Sequence, residues 1–316
     1  QTYIDNYYAS ISSSATGNTL KTSLESLLKS ERGRSFSYGT HQSQAFPYTD
    51  VDPARPNDGY IVSFYSGTPV KGYSGMNKEH TWPDSHGGNK IDSDPHVIRP
   101  TLSSENSARG NMYYAQSPNP GWDPASFSNP KYRGISARII FYGATIGASS
   151  GLVLEDVGRG QGSGTGNKMG KLGDLLKWNL EYPVDQSEII RNETLDISLN
   201  YNRNPFIDDP SLACRIWGDT NSNTQSICAQ ASVAPESMSL NPSETTTTVG
   251  TSKTLSVNVT PSNAAKTVTW SSSNPSIATV NNGVVNPLSV GVVTITATST
   301  LNTAIKATAT ITINEA

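Results

Sequence analysis

Three residues in the first half of the chain have side chains suited to acting on a phosphodiester. Glu79 and His80 are adjacent in "GMNKEHTWPDS", and Asn106 follows in "TLSSENSARGN". A carboxylate and an amide carbonyl are hard oxygen ligands, which suit Mg²⁺, Mn²⁺ or Ca²⁺. A neutral histidine beside such an ion can take a proton from an attacking water, because its ordinary pKa of about 6.5 suits a base at neutral pH. The pattern therefore predicts metal-assisted hydrolysis without a covalent intermediate.

A fourth residue, Arg109, lies one helical turn after Asn106 in the same polar stretch. A guanidinium at that position could bind a phosphate of the substrate, and we include Arg109 among the candidate catalytic residues on that basis. The alternative is that Arg109 pairs with a carboxylate. Trp82 and Tyr113 are predicted to belong to the core rather than to stack against bases.

The other histidines allow an alternative site. His80, His86 and His96 could join Asp94 in a zinc site, although their spacings match no His-x-x-x-His pair on a helix. We interpret His96 as a hydrogen-bonded structural residue, and His41 and His86 as surface residues.

These side chains need a compact scaffold of two strands and a helix. Adjacent residues of a strand point to opposite faces, so Glu79 and its neighbour can serve one site only where the strand ends. Pro83 supplies that stop, because proline cannot continue a ladder. The stretch "HVIR" then reads as a second strand that ends at Pro100, followed by a helix from near Thr101. Strand, loop, strand and helix form a finger in which Asn106 faces back toward Glu79.

Length and charge limit the class of protein. A chain of 316 residues suits two domains. The net charge of −3 is unlike that of a basic protein that wraps nucleic acid, so affinity for a polyanion requires a local patch or a bound metal. The glycine-rich segment Gly158–Gly170 is predicted to be a surface loop that could meet a phosphate backbone.

Composition points to the outside of the cell. Ser, Thr, Asn and Gly are abundant, and the sequence starts at Gln1 without a methionine, so we expect that a signal peptide has been removed. Cys214 and Cys228 would form one disulfide in an oxidising compartment, or remain two free thiols. No apolar run approaches the roughly 20 residues that span a bilayer.

A second domain begins after Cys228. From about residue 234 the chain has few charges, and segments such as "TLSVNVTP", "KTVTWSSS" and "GVVTITATS" alternate with period two. Asn282-Gly283 and Gly291 supply turns between them. Roughly seven short strands in this stretch predict a β-sandwich.

Three segments, in order, resemble the bacterial endonuclease I family of periplasmic or secreted nucleases with a ββα-metal (His-Me finger) site. They are "NKEHTWPDS", "DPHVIRPTLSSENSARGN" and "RNETLDISLNYNRNPFIDDPSLACRIWG". The resemblance implies that His80 is the general base and that Glu79 and Asn106 bind Mg²⁺. Arg109 and Asn111 fall in the family's N-x-x-R-x-N segment as supporting residues. The chain departs at Pro95, where the family often has leucine; the segment from Asn202 to Asp208 is interpreted as a structural turn.

Residues 234–316 resemble a bacterial Ig-like domain of group 2, through "VTWSSSNPSIATVNNGVV" and "GVVTITATS". Such modules occur on adhesins and as accessory domains of secreted enzymes, and their tryptophan, here Trp270, packs in the sandwich core.

The sequence therefore predicts an α+β nuclease domain with a ββα-metal finger at residues 1–230, followed by an all-β Ig-like sandwich at 234–316. The predicted function is a secreted, periplasmic or cell-surface, Mg²⁺-dependent, sequence-nonspecific endonuclease. Its substrates would be DNA and RNA, with products carrying 5′-phosphates; Mn²⁺ or Ca²⁺ could replace Mg²⁺. We expect a monomer whose Ig-like domain binds a cell-surface or polysaccharide ligand. The alternative is an inactive nuclease fold that serves as an adhesin or glycan-binding protein.

Overall fold

The structure is a computed structural model that describes residues 2–117, 120–156, 166–231, 233–262 and 264–315. The chain divides into two compact units, residues Gln1–Thr224 and Gln225–Ala316. The glycine-rich segment predicted to be a surface loop falls largely on residues 157–165, which lie outside the described residues. Within the described ranges, no helix is long and apolar enough to cross a membrane.

Helices are the main regular elements of the first unit, and the last of them runs past its end. The α-helices are α1 (Tyr3–Tyr7), α2 (Gly17–Ser30), α3 (His41–Gln44), α4 (Phe46–Thr49), α5 (Ser103–Arg109), α6 (Lys131–Ile146), α7 (Leu172–Glu181), α8 (Gln186–Glu193), α9 (Pro205–Asp208), α10 (Leu212–Trp217) and α11 (Ser222–Gln230). A π-helical turn, Thr194–Ser198, extends α8. Cys214 and Cys228 form a disulfide, as an oxidising compartment predicts.

Helix α6 is the centre of the first unit's core. It is buried on nearly every side, and α2, α7 and α9 pack around it. Gly143 lets the indole of Trp82 approach closely, because a Cβ at Gly143 would lie 3.2 Å from Cε3 of that ring. Trp82 and Tyr113 are both buried, as the sequence predicts.

Short strands of the first unit form two-stranded sheets. They are β1 (Tyr60–Val62), β2 (Pro69–Lys71), β3 (Met76–His80), β4 (Ile98–Leu102), β5 (Val153–Leu154) and β6 (Lys168–Met169). Strands β3 and β4 pair antiparallel, with His80 opposite Ile98 and Met76 opposite Leu102. Helix α5 follows β4 directly and packs against both strands. The predicted order of strand, loop, strand and helix is therefore present.

The prediction that Pro100 ends the second strand is wrong. Strand β4 continues through Pro100 to Leu102, and α5 begins at Ser103 rather than near Thr101. The carbonyl of Pro100 accepts a hydrogen bond of 2.8 Å from the N–H of Phe64, outside the β3–β4 pair. The nitrogen and carbonyl of one strand residue point to the same side, so the missing N–H of Pro100 takes no bond away from β3.

The second unit, after the end of α11, consists of strands. They are β7 (Ser237–Asn241), β8 (Glu244–Thr248), β9 (Lys253–Thr254), β10 (Ser256–Thr260), β11 (Val268–Ser272), β12 (Ala278–Asn281), β13 (Val284–Pro287), β14 (Gly291–Ser299) and β15 (Lys306–Asn314). The sheets run in the orders β11-β14-β15-β8, β12-β13-β9 and β10-β7, and β8 pairs parallel with β15.

The sheets of the second unit share one apolar core. Val285, Ile295 and Ile311 are completely buried there, because alternate residues of their strands face inward. Trp270 is partly buried and packs against this core, at its margin rather than its centre. The prediction of an α+β region followed by an all-β Ig-like region is confirmed.

The core of the second unit gives a matched test of its packing. Ile295→Ala removes a side chain that is 0 % exposed, and Val292→Ala trims one on the same strand that is 60 % exposed. We expect Ile295→Ala to lower the free energy of unfolding by about 2–5 kcal/mol. The Val292 variant should change it by less than about 0.5 kcal/mol. Calorimetry of the full chain measures both, and equal shifts would contradict the assigned orientation of β14.

Candidate active site

The end of β3 presents its two candidate residues to different environments. The side chain of Glu79 is 2 % exposed, whereas that of His80 is 20 % exposed. This difference follows from the alternation of side chains along a strand. The carboxylate therefore enters the protein interior, and the imidazole lies at the surface of the finger.

The Glu79 carboxylate is held through a single oxygen. Its Oε1 accepts hydrogen bonds of 2.7 Å from the Tyr65 hydroxyl and 2.5 Å from Nη1 of Arg109. Within the described residues, Oε2 has no hydrogen bond, and it is not sealed from solvent. Burial raises the pKa of Glu79, while the positive charge of Arg109 and the hydrogen bond from Tyr65 oppose that rise. We take the carboxylate as ionised, because a guanidinium is its direct partner.

The backbone at Tyr65 is unusual. Its φ is +78°, a left-handed value that a bulky side chain seldom adopts. The ring is completely buried. Its hydroxyl lies 2.5 Å from the Tyr114 hydroxyl and also donates to the Glu79 carboxylate. Strained backbone of this kind persists only where the surroundings fix it. Here it carries a hydroxyl to the carboxylate.

Arg109 is enclosed in the finger. Its side chain is 0 % exposed, and its nitrogens donate to protein oxygens. Besides Glu79, the acceptors are the carbonyls of Met112 at 3.0 Å, His80 at 2.9 Å and Thr81 at 2.8 Å. A guanidinium used in this way has no face open to a phosphate. The geometry favours the carboxylate-pairing alternative over the phosphate-binding role for Arg109.

The His80 imidazole lies between an aromatic ring and acidic groups. It stacks on Tyr38 with a centroid distance of 4.8 Å, and its Nε2 is 3.8 Å from Oδ2 of Asp92. Burial lowers the pKa of His80, while the charges of Asp84 and Asp92 oppose the shift. The imidazole is therefore mostly neutral at neutral pH, the state that a general base requires.

Asn106 lies on α5, three residues before Arg109, and so on the same face of the helix. Arg109 bonds to Glu79, which orients that face toward β3. The side chain of Asn106 is partly exposed and makes no hydrogen bond to another described residue. Among the described residues neither this amide oxygen nor Oε2 of Glu79 has a protein partner, and both are hard donors of the kind that Mg²⁺ takes.

The remaining histidines have structural contacts. His96 is buried, and its Nε2 donates to the Asn202 carbonyl at 2.7 Å, in accord with the predicted structural role. The interpretation of His41 and His86 as surface residues is wrong, because both are buried. Their burial is tolerated since each Nε2 donates to a backbone carbonyl at 2.7 Å, of Asp92 and Asn111 respectively.

The zinc alternative lacks a ligand cluster. His86 and His96 bond to different carbonyls, those of Asn111 and Asn202. Across the described part of the chain, no three residues of His, Cys, Asp or Glu are grouped so that they could hold a metal ion. In the segment from Asn202 to Asp208, three irregular residues lead into helix α9, and Asn204 caps that helix through its side chain.

Sequence reasoning missed three residues of this site: Tyr38, Tyr65 and Asp92. Tyr38 begins a short 3₁₀ helix and Tyr65 lies in a turn, both outside the motif, and nothing in their local sequence predicts these contacts. Asp92 had a weak signal, since it lies two residues before Asp94 in an acidic stretch of the finger loop.

Comparison with known proteins identifies the family of each unit. The sequence model of the family "Endonuclease I" matches residues 16–146 and 128–211, and that of the "Bacterial Ig-like domain (group 2)" matches residues 234–311. An extracellular ribonuclease of Bacillus amyloliquefaciens is 34 % identical over 231 residues, which cover 67 % of this chain and 78 % of the relative. The extracellular ribonuclease of Bacillus subtilis (strain 168) is 33 % identical with the same coverage.

The fold and the site thus define a nuclease with a ββα finger. The chain belongs to the endonuclease I family, and it is a secreted nuclease that carries a bacterial Ig-like domain.

The buried His96 predicts a loss of stability in acid. Burial lowers its pKa to about 4, whereas in the unfolded chain the pKa is about 6.5. Between about pH 6.5 and pH 4, His96 is therefore protonated in the unfolded state and neutral in the folded state. The free energy of unfolding should fall by up to about 3 kcal/mol as the pH drops from about 6.5 to about 4.

The variant His96→Gln tests this dependence, because a glutamine amide can still donate to the Asn202 carbonyl but does not titrate. Urea unfolding at several pH values should give a flatter stability profile for the variant than for the wild type. Parallel profiles would contradict the assignment.

Proposed function

We propose that this nuclease hydrolyses phosphodiester bonds in DNA and RNA with a divalent metal ion held by Glu79 and Asn106 and with His80 as the general base. The observation that carries the proposal is the arrangement at the end of β3. There a carboxylate fixed through Oε1 keeps Oε2 available, and the next residue of the strand supplies a neutral imidazole.

Mg²⁺ is the metal we propose, with Mn²⁺ or Ca²⁺ as substitutes. Members of the endonuclease I family generally use a divalent metal, and the two free oxygen donors suit a hard cation. When bound, such an ion supplies a Lewis acid that stabilises negative charge on the phosphate. Two protein ligands leave room for water and a phosphate oxygen.

His80 removes a proton from the attacking water. Its Nε2 faces Asp92, so Nδ1 is the nitrogen that accepts the proton. The imidazolium formed in this step is stabilised by the carboxylates of Asp84 and Asp92, whose charges favour the protonated ring. Water attack makes no use of a 2′-hydroxyl, so both polymers are substrates and the products carry 5′-phosphates.

Arg109 acts as a positioning residue in this proposal. Its bonds to Glu79 and to the carbonyl of His80 fix both candidate residues relative to α5. Tyr65 shares the task on the same oxygen of the carboxylate.

Several expectations about the whole protein join the proposal. We place the nuclease domain at residues 1–230 and the Ig-like domain at 234–316, and we propose a monomer exported with a signal peptide that is then removed. The extracellular relatives support export and an RNA substrate. A cell-surface or polysaccharide ligand is proposed for the Ig-like domain.

Cleavage of plasmid DNA and of a structured RNA tests the proposed chemistry. Wild type should cut both with Mg²⁺ and neither with EDTA, and His80→Ala should be slower by about 10²–10⁴ because general-base help is lost. Lys177→Gln, at an exposed lysine of α7, serves as the control and should cut at the wild-type rate. If wild type cuts neither polymer with any divalent ion, the proposed hydrolysis fails, and the alternative of an inactive nuclease fold that serves as an adhesin or glycan-binding protein takes its place.

Tyr65→Phe tests how the metal ligand is held. Loss of the hydroxyl frees the Glu79 carboxylate to turn, and we expect Mg²⁺ affinity to fall about 10-fold, as for outer-shell partners of metal sites. Calorimetric titration of the protein with Mg²⁺ measures the change. Tyr48→Phe, at an exposed tyrosine, is the matched control. Equal affinities for wild type and Tyr65→Phe would remove Tyr65 from the site.

A further inference from the structure

A second feature of the first unit is a cleft of about 300 Å³ lined by Arg32, Arg34, Phe36, Ser93 and Tyr201, with Gly33 and Ser35. We propose that this cleft binds a backbone phosphate of the polynucleotide substrate, a few nucleotides from the bond that is cut, with Arg34 as the cation that contacts it. This inference rests on the proposed function, since it assigns the cleft to the same substrate.

Two chain segments connect the cleft to the candidate active site. Ser93 lines the cleft, and its neighbour Asp92 faces His80 with its carboxylate at 3.8 Å. Adjacent Cα atoms are about 3.8 Å apart, so the cleft begins one residue from the group that faces the imidazole. On the other side, the segment that carries Arg34 continues to Tyr38, whose ring stacks on His80. A strand whose scissile phosphate lies at His80 can therefore reach the cleft.

The two arginines of the cleft differ in their charge partners. Arg32 is neutralised, because it forms an ion pair of 2.5 Å with Asp94 and also donates to the amide oxygen of Asn202 at 2.7 Å. Arg34 donates to the uncharged amide of Gln44 at 3.1 Å, and within the described residues it has no carboxylate partner. Arg34 is thus the cation whose charge is available to a ligand.

The Arg34 guanidinium is held in place before any ligand binds. It lies over the Phe36 ring at 4.6 Å, and that ring packs edge-on against Tyr201 at 5.3 Å. The chain beneath is fixed by Gly33, whose N–H donates to the Asn200 carbonyl at 3.1 Å. A side chain at Gly33 would collide with Asn200, since its Cβ would lie 2.2 Å from Nδ2. A preorganised guanidinium loses less conformational freedom on binding.

The ligand group is a phosphate rather than a base. Phe36 and Tyr201 are buried and covered by Arg34 and Arg32, so their faces are not free to stack with a base. A planar guanidinium matches the oxygens of a phosphate. The chain as a whole has a net charge of −3, so binding of a polyanion depends on local cations of this kind.

Binding of a fluorescent single-stranded oligonucleotide in EDTA tests the cleft separately from catalysis. The full chain with His80→Ala serves as the parent, and Arg34→Gln, Arg34→Lys and Lys177→Gln are each added to it. Arg34→Gln should raise the Kd about tenfold and reduce the slope of log Kd against log salt concentration by about 0.7, the value for one phosphate contact on a single strand. Arg34→Lys should keep the parent's salt slope, and Lys177→Gln should keep its Kd. Melting temperatures check that each variant is folded.

Other results overturn the inference. They are an unchanged Kd for Arg34→Gln, an equal loss for Lys177→Gln, or no binding by the parent. Inorganic phosphate at the oligonucleotide's phosphate concentration should not displace the oligonucleotide; displacement would assign the cleft to free phosphate. If wild type cuts with Mg²⁺ while Arg34→Gln binds normally, only the cleft fails. If the cleft binds as expected and wild type never cuts, only the proposed hydrolysis fails.

Discussion

The buried ion pair between Arg109 and Glu79 is the interaction on which the finger depends. Removing two charges from water is costly, and it is tolerated only where hydrogen bonds use the remaining donors and acceptors. Arg109 meets that condition through three backbone carbonyls, whereas Tyr65 bonds only Oε1 of Glu79 and leaves Oε2 without a bond to a described residue. The same bonds tie α5 to the end of β3. The buried ion pair thereby fixes the residues that we propose to act on the substrate.

The sequence predicted the finger well because its signals are local. Glu79, His80 and the helix with Asn106 fall within about thirty residues, and their motif carries the strand–loop–strand–helix order. The end of the second strand was mispredicted at Pro100. Proline ends a strand only where its missing N–H would have bonded the partner strand, and the nitrogen and carbonyl of Pro100 point away from β3. The carbonyl is bonded there by Phe64, a residue outside the motif.

The supporting contacts could not be predicted in the same way. The burial of Arg109 follows from carbonyls that only the folded finger brings together, so the sequence left both roles open. Tyr38, at the start of a short 3₁₀ helix, and Tyr65, in a turn after β1, both precede the motif. The buried His41 and His86 donate to backbone carbonyls that are distant in the sequence. In the Ig-like strands, by contrast, the alternation of buried and exposed side chains follows from the two-residue repeat of a strand, so it could be predicted from the local sequence.

Pro100 also bears on how the protein behaves among copies of itself. A two-stranded ribbon exposes edges to which a strand of another molecule can add, the first step of aggregation. The outer edge of β4 is occupied: Pro100 has no N–H to offer, its carbonyl is bonded by Phe64, and the N–H of Leu102 donates to the Ser63 hydroxyl. The protein therefore closes that edge with an earlier segment of its own chain, so that a strand of a second molecule finds these groups already bonded.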